Sequence, residues 1–295
     1  MGKVAIITGA SSGIGFSLAR ALSDRGLTTI GIGRNKERLN ALKGERANIH
    51  IIESDLSEPN GRNKVFSEIN SYYNHIDYLI HCAAAIEPIK AIIEIDLTEW
   101  RKHYAINVEA PLFLTKKIVP MMQKGSRILF IASDFQSGTN FKYLSPYCTS
   151  KLALNSLVEG LKIELSELEI HVGNVLPGPV DTPLYHSFWK SEVLPVEKKL
   201  SPVDPKNIGS FLNWLLIDMY DNEKYVSTKW DIRNTEHYDS WQKSLNHKSE
   251  LCNKSLDECS INDFENYFIN RQKIEKSEAS QSFFDTSNVG PGFGF

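Results

Sequence analysis

Residues 3–15, which read KVAIITGASSGIG, decide the fold of this chain. Val4–Ile7 is a short apolar run rich in β-branched residues, which predicts a fully buried strand. Gly13–Gly15 then leads into apolar positions with helical spacing through Leu22. Glycine allows a tight turn, and a new helix presents free N–H groups to an anion. A strand, a glycine turn and a helix in this order therefore predict a site for the pyrophosphate of a dinucleotide.

The second predicted strand indicates which dinucleotide binds. It spans 28–33 and is followed by Arg34, where dinucleotide-binding folds place the residue that meets the adenosine ribose. An acidic residue there would bind the ribose hydroxyls of NAD, whereas a guanidinium suits a 2′-phosphate. We therefore expect NADP(H), with NAD(H) as the alternative if Arg34 only caps the strand in solvent.

Tyr147 and Lys151 are the candidate chemical groups. They lie in the run SPYCTSK at residues 145–151, and a spacing of four places two side chains on one face of a helix. An ammonium beside a phenol favours the phenolate, so it lowers the tyrosine pKa from about 10 toward the working pH. A tyrosine tuned in this way can exchange a proton with a substrate oxygen. Because the same spacing occurs by chance on surface helices, the pair gains its meaning from the glycine turn upstream.

The run TGASSGIG at residues 8–15, together with Tyr147 and Lys151, resembles the short-chain dehydrogenase/reductase family over about residues 3–232. The resemblance implies an α/β fold with one doubly wound parallel sheet of the Rossmann type. It also implies hydride transfer between a nicotinamide and a carbonyl compound or alcohol. Tyr147 would donate the proton in reduction and accept it in oxidation. Lys151 would lower the pKa of Tyr147 and hold the nicotinamide ribose.

Two further active-site residues match the family in chain order. Asn107 matches the asparagine that would fix a water between Lys151 and solvent. Ser133 matches the serine that would donate a hydrogen bond to the substrate oxygen. Taken singly, Asn107 is better explained as a helix-kink residue and Ser133 as a strand-end cap. Only the ordered set of matches favours the catalytic roles.

Other segments match the parts of the family that hold the cofactor. Asp55 and Leu56 match the pair beside the adenine ring, and PGPVDT at 177–182 matches the segment that contacts the nicotinamide. The resemblance implies these cofactor contacts: Gly9, Ser11, Ser12, Gly13, Ile14, Gly15, Arg34, Asp55, Leu56, Ala83, Ala84, Tyr147, Lys151, Pro177, Gly178, Val180 and Thr182.

The chain departs from the family pattern after the fourth predicted strand. The family usually has Asn-Asn-Ala-Gly there, and this chain has HCAA at 81–84, which removes an asparagine that braces the sheet. The spacing from Ser133 to Tyr147 is also one residue longer than usual. Within the family, AIEPI at 85–89 and PGPVDT resemble sepiapterin reductase and bacterial benzil reductase-like members.

Strand and helix patterns alternate along the chain, which predicts one doubly wound sheet in residues 1–233. The predicted strands are 3–8, 28–33, 48–53, 77–82, 126–132, 170–176 and 226–232, and the predicted helices are 13–25, 36–43, 60–73, 147–168 and 205–219 with one or two in 97–122. Right-handed crossovers would place the cofactor above the carboxyl ends of the first and fourth strands.

Bulk composition excludes several function classes. A net charge of −3 with no basic stripe gives no case for nucleic acid, and no apolar run is long enough for a membrane span. Four cysteines without paired spacing indicate a reducing compartment and a cytoplasmic protein. Neither the cysteines nor the histidines have metal-site spacing, so no metal is expected.

Two segments stand apart from the regular pattern. Residues 184–200 are predicted to be mobile and carry bulky apolar residues, which suit either a lid over a hydrophobic carbonyl compound or a helix packed on the core. Residues 234–295 extend beyond the usual end of the family. They are predicted to be disordered or to dock through a helix at 261–268.

These patterns predict an NADP(H)-dependent oxidoreductase acting on a small-molecule carbonyl compound or alcohol. The alternatives are a nucleotide-binding regulator without catalysis and an interaction scaffold. A regulator of that kind typically lacks the tyrosine or the lysine, and this chain keeps both. The resemblance also implies a homodimer or homotetramer paired through helices near 103–122 and 147–168.

Overall fold

A computed structural model of the chain describes most of residues 2–241. The described residues are 2–133, 142–190, 201–219, 224–225, 229–232, 234, 236–237, 239 and 241. The chain divides into two compact units, Met1–Lys254 and Ser255–Phe295, and every described residue belongs to the first.

The described part of the chain forms one parallel sheet in the order β3-β2-β1-β4-β5-β6-β7. Its strands are β1 Val4–Thr8, β2 Thr28–Gly33, β3 Ile49–Glu53, β4 Tyr78–His81, β5 Arg127–Ile131, β6 His171–Leu176 and β7 Lys229–Asp231. β1, β4 and β5 are buried along their whole length, as expected for parallel strands covered on both faces.

Helices connect the strands and cover the sheet. The described α-helices are α1 Gly13–Asp24, α2 Lys36–Glu45, α3 Pro59–Tyr72, α4 Leu97–Tyr104, α5 Ala110–Ile118, α6 Ser145–Glu164, α7 Pro183–Lys190 and α8 Pro205–Asn213. Two π turns also occur: Ala105–Glu109 joins α4 to α5, and Trp214–Asp218 extends α8.

The strand order reverses beside β1, which pairs with β2 on one side and β4 on the other. This confirms the predicted doubly wound fold and its switch point, where such folds bind ligands. Arg34, Ala83, Ser133 and Pro177 each follow a different strand at the carboxyl edge of the sheet. The fold therefore gathers residues that are far apart in sequence at one edge.

The prediction of a mobile segment was wrong for residues 184–190, because α7 occupies them. Tyr185 and Phe188 are buried on one face of this helix. Their burial stabilises the helix, and the polar residues that flank the segment made this packing hard to predict from the sequence. Residues 191–200, which hold the rest of the predicted segment, lie outside the described residues.

Residues beyond 233 take part in the core of the first unit. The rings of Phe211 and Trp241 contact each other edge to face at 5.7 Å, and Trp241 is almost fully buried. His237 Nδ1 accepts a hydrogen bond from the Asp231 backbone N–H. The predicted boundary after 233 stays a prediction, and the predicted helix at 261–268 lies outside the described residues.

The described residues show neither a membrane-spanning helix nor a metal-binding cluster. None of their helices is long and apolar enough to cross a membrane. Within the same part of the chain, no three His, Cys, Asp or Glu side chains come together as a metal site would need.

Candidate active site

Tyr147 and Lys151 lie one turn apart near the start of α6, and both are buried. The spacing of residues 147, 151, 154 and 158 places them on the face that packs against the sheet. Lys151 Nζ donates a hydrogen bond to the Ile131 carbonyl at 3.1 Å and lies 5.8 Å from the centre of the Tyr147 ring. The last residue of β5 thus anchors the lysine beside the tyrosine.

Burial changes the charge state of the groups around Lys151. It lowers the pKa of Lys151 from its ordinary value of 10.5 to about 8. The neighbouring Cys82 has its thiol pKa raised to about 12 by burial, which the charge of Lys151 partly offsets. Lys151 therefore remains largely an ammonium at neutral pH, and Cys82 remains a neutral thiol.

Asn107 lies in the π turn between α4 and α5 and is fully buried. Its Oδ1 accepts a hydrogen bond from the Ala85 N–H at 2.8 Å, and its Nδ2 donates to the Ala85 carbonyl at 2.9 Å. Nδ2 also donates to the Ser150 hydroxyl at 2.9 Å. Asn107 therefore links the segment after β4 to the helix that carries Tyr147.

Ser133 follows β5 by two residues at the same edge of the sheet and is half-buried. Residues 134–141, which complete its connection to α6, lie outside the described part of the chain. The structure thus links Asn107 through Ser150 to the Tyr147 carbonyl, bonds Lys151 to the end of β5, and places Ser133 two residues beyond that strand end.

The glycine turn has the geometry that a dinucleotide phosphate requires. Gly9 and Gly13 have φ of 72° and 56°, a region that favours glycine. A Cβ on Gly9 would lie 2.9 Å from the Ala83 nitrogen, so the turn packs tightly on the end of β4. Ser12 makes no side-chain cap on α1, and the first turn of that helix carries no acid. Its N–H groups are therefore suited to an anion, and the site fits a dinucleotide.

The segment at 177–182 lies directly over this turn. A Cβ on Gly13 would lie 2.7 Å from Thr182 Cγ2. Thr182 Oγ1 donates to the Val180 carbonyl at 3.1 Å and accepts from the Tyr185 N–H at 3.2 Å. Thr182 therefore connects the glycine turn to the start of α7. Pro177, Gly178 and Val180 lie along the same segment after β6.

Arg34 and Asp55 face each other at the adenosine end of the predicted site. Arg34 Nη1 lies 3.8 Å from Asp55 Oδ2, and the arginine side chain is 74% exposed. Asp55 Oδ1 accepts hydrogen bonds from the N–H and the hydroxyl of Ser57 at 2.9 and 2.7 Å. Burial opposes ionisation of Asp55, but the Ser57 hydrogen bonds and Arg34 outweigh it and lower its pKa. Leu56 is buried in the core beside them.

The sheet is braced at 81–84 in a way that the sequence did not reveal. His81 Nε2 lies 3.0 Å from Thr115 Oγ1, and its ring stacks on Phe130. Thr8 Oγ1 accepts hydrogen bonds from the N–H groups of Cys82 and Ala83, both at 3.1 Å. These contacts supply the bracing for which the family pattern uses an asparagine. Burial lowers the pKa of His81 to about 3, so it is neutral.

Tyr147 belongs to a buried apolar cluster, which we call the apolar wall. We define it as the buried cluster Ile86, Leu144, Tyr147, Cys148 and Phe188, against which Ile89, Leu184 and Trp189 pack. It joins the segment after β4, the start of α6 and the buried face of α7. The catalytic candidate is therefore packed into a buried hydrophobic cluster to which α7 contributes.

The parallel sheet and the glycine turn define an α/β protein of the dinucleotide-binding type. The family model described as short chain dehydrogenase matches residues 3–193. The chain belongs to this short-chain dehydrogenase/reductase family. It is an oxidoreductase of the kind that exchanges hydride between NAD(H) or NADP(H) and a carbonyl compound or alcohol.

Similar proteins support the same assignment. An uncharacterized oxidoreductase of Staphylococcus haemolyticus is 30% identical over 218 residues, covering 73% of this chain and 91% of that protein. Human dehydrogenase/reductase SDR family member 4 is 29% identical over 223 residues, covering 71% and 80%. A short-chain dehydrogenase from Burkholderia cenocepacia, solved in complex with NADP, has a TM-score of 0.66 at 20% identity, covering 78% and 95%. That likeness shows the fold.

Sequence reasoning missed two residues that organise the site, Ser150 and Thr8. Ser150 stands inside the run that holds Tyr147 and Lys151, and its place on the buried face of α6 could have been read from the spacing. Thr8 gave no such signal, because the N–H groups it binds come from residues on another strand.

Proposed function

We propose that this protein is an NADP(H)-dependent oxidoreductase in which Tyr147 transfers the proton to or from the substrate oxygen. The observation that carries the proposal is the buried Lys151 ammonium, held beside Tyr147 by the Ile131 carbonyl. Burying an ammonium opposes folding, so its retention suits a chemical role. A regulator that only bound nucleotide could use Lys151 to hold the ribose, but it would not need a tyrosine beside that charge.

Each residue of the site has a separate task in this proposal. Bound cofactor would supply or accept the hydride. Negative charge then grows on the substrate oxygen in reduction; the Tyr147 hydroxyl gives that oxygen its proton, and the Lys151 charge stabilises the resulting phenolate. Ser133 donates a hydrogen bond to the same oxygen as its charge develops.

Asn107 has both N–H bonds of its amide committed to Ala85 and Ser150. A water between Asn107 and Lys151 would therefore have to donate to an oxygen of Asn107 rather than accept from its amide. The Asn107 side chain instead fixes the position of the π turn relative to α6. In this way it helps to define the space next to Lys151 on that helix.

Arg34 supports the preference for NADP(H) over NAD(H). Its guanidinium is mostly exposed and makes only a long ion pair with Asp55, an arrangement worth little in water. A 2′-phosphate would offer it a charge-assisted, bidentate partner instead. The carboxylate of Asp55 keeps its two hydrogen bonds from Ser57 whether or not Arg34 turns away.

The substrate should present an apolar group next to its carbonyl. Ile89, Leu184 and Trp189 pack on the buried cluster around Tyr147 and are themselves only partly buried, so they leave apolar area that a substrate would remove from water. This favours hydrophobic ketones or aldehydes over sugars.

Turnover of NADPH with a panel of aliphatic ketones, aromatic ketones, diketones, aldehydes and sugars tests the proposal. We expect reduction of hydrophobic members, and a loss of about 10²–10⁴-fold in kcat for Tyr147→Phe. Tyr72→Phe is the matched control, because Tyr72 is 81% exposed and remote from the carboxyl edge. No turnover of any member, or equal turnover by wild type and Tyr147→Phe, contradicts the proposal.

Paired binding titrations with NADPH and NADH test Arg34 separately. Arg34→Ala should weaken NADPH by about 1.5–3 kcal/mol, the range for hydrogen bonds to charged groups, and leave NADH nearly unchanged. Arg38→Ala is the control, since Arg38 is exposed on the first turn of α2. Equal affinities of the wild type for the two cofactors refute the assigned role.

We also propose that the protein pairs through α5 and α6. Leu112 on α5 and Leu152 and Ile163 on α6 are exposed to 44%, 39% and 76%. Exposed apolar side chains mark an interaction site when they form one contiguous patch, which pairing of α5 and α6 with a second copy would cover. Sedimentation of the wild type and of Leu152→Glu tests this: a dimer or tetramer that the substitution dissociates supports pairing, and a monomeric wild type contradicts it.

A further inference from the structure

Ser150 occupies an unusual position between the two functional groups of α6. It is fully buried, one residue before Lys151 and three after Tyr147. Its hydroxyl accepts a hydrogen bond from Asn107 Nδ2 at 2.9 Å and donates one to the Tyr147 carbonyl at 2.7 Å. This one hydroxyl therefore joins the π turn to the backbone of the tyrosine.

We propose that Ser150 is a positioning residue, which sets the place of Tyr147 relative to Lys151 by tying its backbone to Asn107. The inference rests on the proposed function of Tyr147 as the proton-transfer group. Ser150 itself touches no reacting atom, so it acts only through the residues it holds.

The connection extends beyond Ser150 because the Asn107 amide has no donor to spare. Its two N–H bonds go to Ala85 and Ser150, and its Oδ1 accepts from the Ala85 N–H. The segment after β4, the π turn and α6 are thereby held in one chain of hydrogen bonds. Hydrogen bonds in such a chain strengthen one another, and a buried amide left with an unmet N–H is costly.

Thr149 shows what an ordinary hydroxyl does on the same helix. Its Oγ1 donates to the Ser145 carbonyl at 2.7 Å and lies 3.1 Å from the Pro146 carbonyl. It thus makes the same kind of bond back to its own helix that Ser150 makes, without a partner from another element in the described structure. Any effect of Ser150 beyond that of Thr149 therefore reports the bond to Asn107.

The experiment compares Ser150→Ala with Thr149→Ala in the full-length protein. We expect Ser150→Ala to lower kcat about tenfold or more, because it disturbs the proton-transfer group. KM for NADPH should change by less than about threefold, because Ser150 does not contribute to the binding of the cofactor. Thr149→Ala should keep kcat within about threefold of wild type. Ser150→Cys, which keeps the size and a weaker donor, should recover part of the loss.

A second readout does not depend on turnover. The ¹³Cζ resonance of Tyr147 in protein labelled at tyrosine Cζ, assigned with Tyr147→Phe, gives the pH at which the phenol ionises. Among the described residues, the Lys151 ammonium on its own helix lies 5.8 Å from the ring centre, and the Cys82 thiol from the end of β4 interacts with that ammonium. If Ser150 holds the pair together, Ser150→Ala moves this pH upward toward about 10, the value of free tyrosine.

A double-mutant cycle with Asn107→Ala completes the test. If Ser150 acts through Asn107, the double variant loses no more activity than Asn107→Ala alone. The proposal is overturned if the fold-losses in kcat of the two single variants multiply in the double variant. It is also overturned if Ser150→Ala and Thr149→Ala have the same kcat and the same ionisation pH of Tyr147. A wild type without any turnover refutes the proposed function, and in that case the ionisation pH still decides the role of Ser150.

Discussion

The two π turns of this protein share a backbone irregularity and differ in what they support. Ala105–Glu109 lies at the carboxyl edge of the sheet and carries Asn107. Trp214–Asp218 lies near the amino edge, where Arg127 begins β5 and donates to the carbonyls of Leu215, Leu216 and Met219.

A buried arginine completes the hydrogen bonds of each turn. Arg62 donates to the Ala105 carbonyl at 3.2 Å, and Arg127 reaches the end of the second turn. Helix ends leave carbonyl groups without intrahelical partners, and a guanidinium with five donors satisfies several at once. The surroundings therefore decide the role of each turn: the first is bonded to the helix of Tyr147 and Lys151 through Asn107 and Ser150, whereas the second packs on the core at the amino edge and pairs with Arg25 at its end.

The comparison implies that substitutions at the carboxyl edge should reduce activity with little loss of stability, and those at the amino edge should do the reverse. Lys151→Met is the strongest case. We expect kcat to fall about a thousandfold, within the range for lost proton-transfer groups, while the free energy of unfolding at pH 7 rises by about 2 kcal/mol.

The stability gain should depend on pH in a defined window. The pKa of Lys151 is about 8 in the folded protein and 10.5 when unfolded. Between these values the unfolded chain holds a proton that the folded chain has released, so wild-type stability rises with pH. Urea unfolding should therefore show the advantage of Lys151→Met at pH 7 and its decline by pH 10. A variant less stable than wild type at pH 7 would refute this.

Arg127→Met should have the opposite profile. Three carbonyl groups lose a buried donor, so we expect the free energy of unfolding to fall by about 3 kcal/mol, with kcat per folded enzyme unchanged. Arg25→Ala is the control at the same turn, because its ion pair with Asp218 is partly exposed and should be worth less than about 1 kcal/mol. A large fall in kcat for Arg127→Met would break the comparison.

His81→Asn should have the smallest effect and act through pH alone. Burial lowers the pKa of His81 from 6.5 to about 3, so below pH 6.5 the unfolded chain binds a proton that the folded chain does not. Stability contributed by neutral His81 is complete above pH 6.5 and lost as pH falls, by about 2 kcal/mol at pH 5. The asparagine variant should lose less stability between pH 7 and pH 5 than wild type. The exposed His50→Asn should keep the wild-type slope; equal slopes in all three would contradict the assignment.

The sequence predicted those parts of the fold that depend on local pattern. The strands at 28–33 and 170–176 and the glycine turn agree closely with the structure, since apolar β-branched runs and glycine spacing are local signals. The predicted helical region 97–122 is helical, and its π turn falls at Asn107, for which the sequence also suited a helix kink; the contacts of Asn107 with Ala85 and Ser150 had no signal in the sequence.

The connections of the site were harder to predict than its members. The run around Tyr147 and Lys151 was evident from spacing, and the structure places both on one buried face. The Ile131 carbonyl, the Ser150 bridge and the Thr8 hydroxyl each join residues from different elements. Such contacts depend on the order of the strands in the sheet. The residue pattern of a single sequence does not reveal which strands are neighbours.

Gly13 carries a packing constraint in addition to its predicted contact with the cofactor. Its missing side chain leaves the space into which Thr182 Cγ2 packs, and Thr182 in turn begins α7, which covers part of the apolar wall. One added carbon at this position would force the Thr182 side chain to shift, directly before α7 begins at Pro183. The absence of a side chain at position 13 thus helps to set the position of the segment that leads into α7. A substitution there should therefore alter substrate selectivity even in a variant that still binds the cofactor.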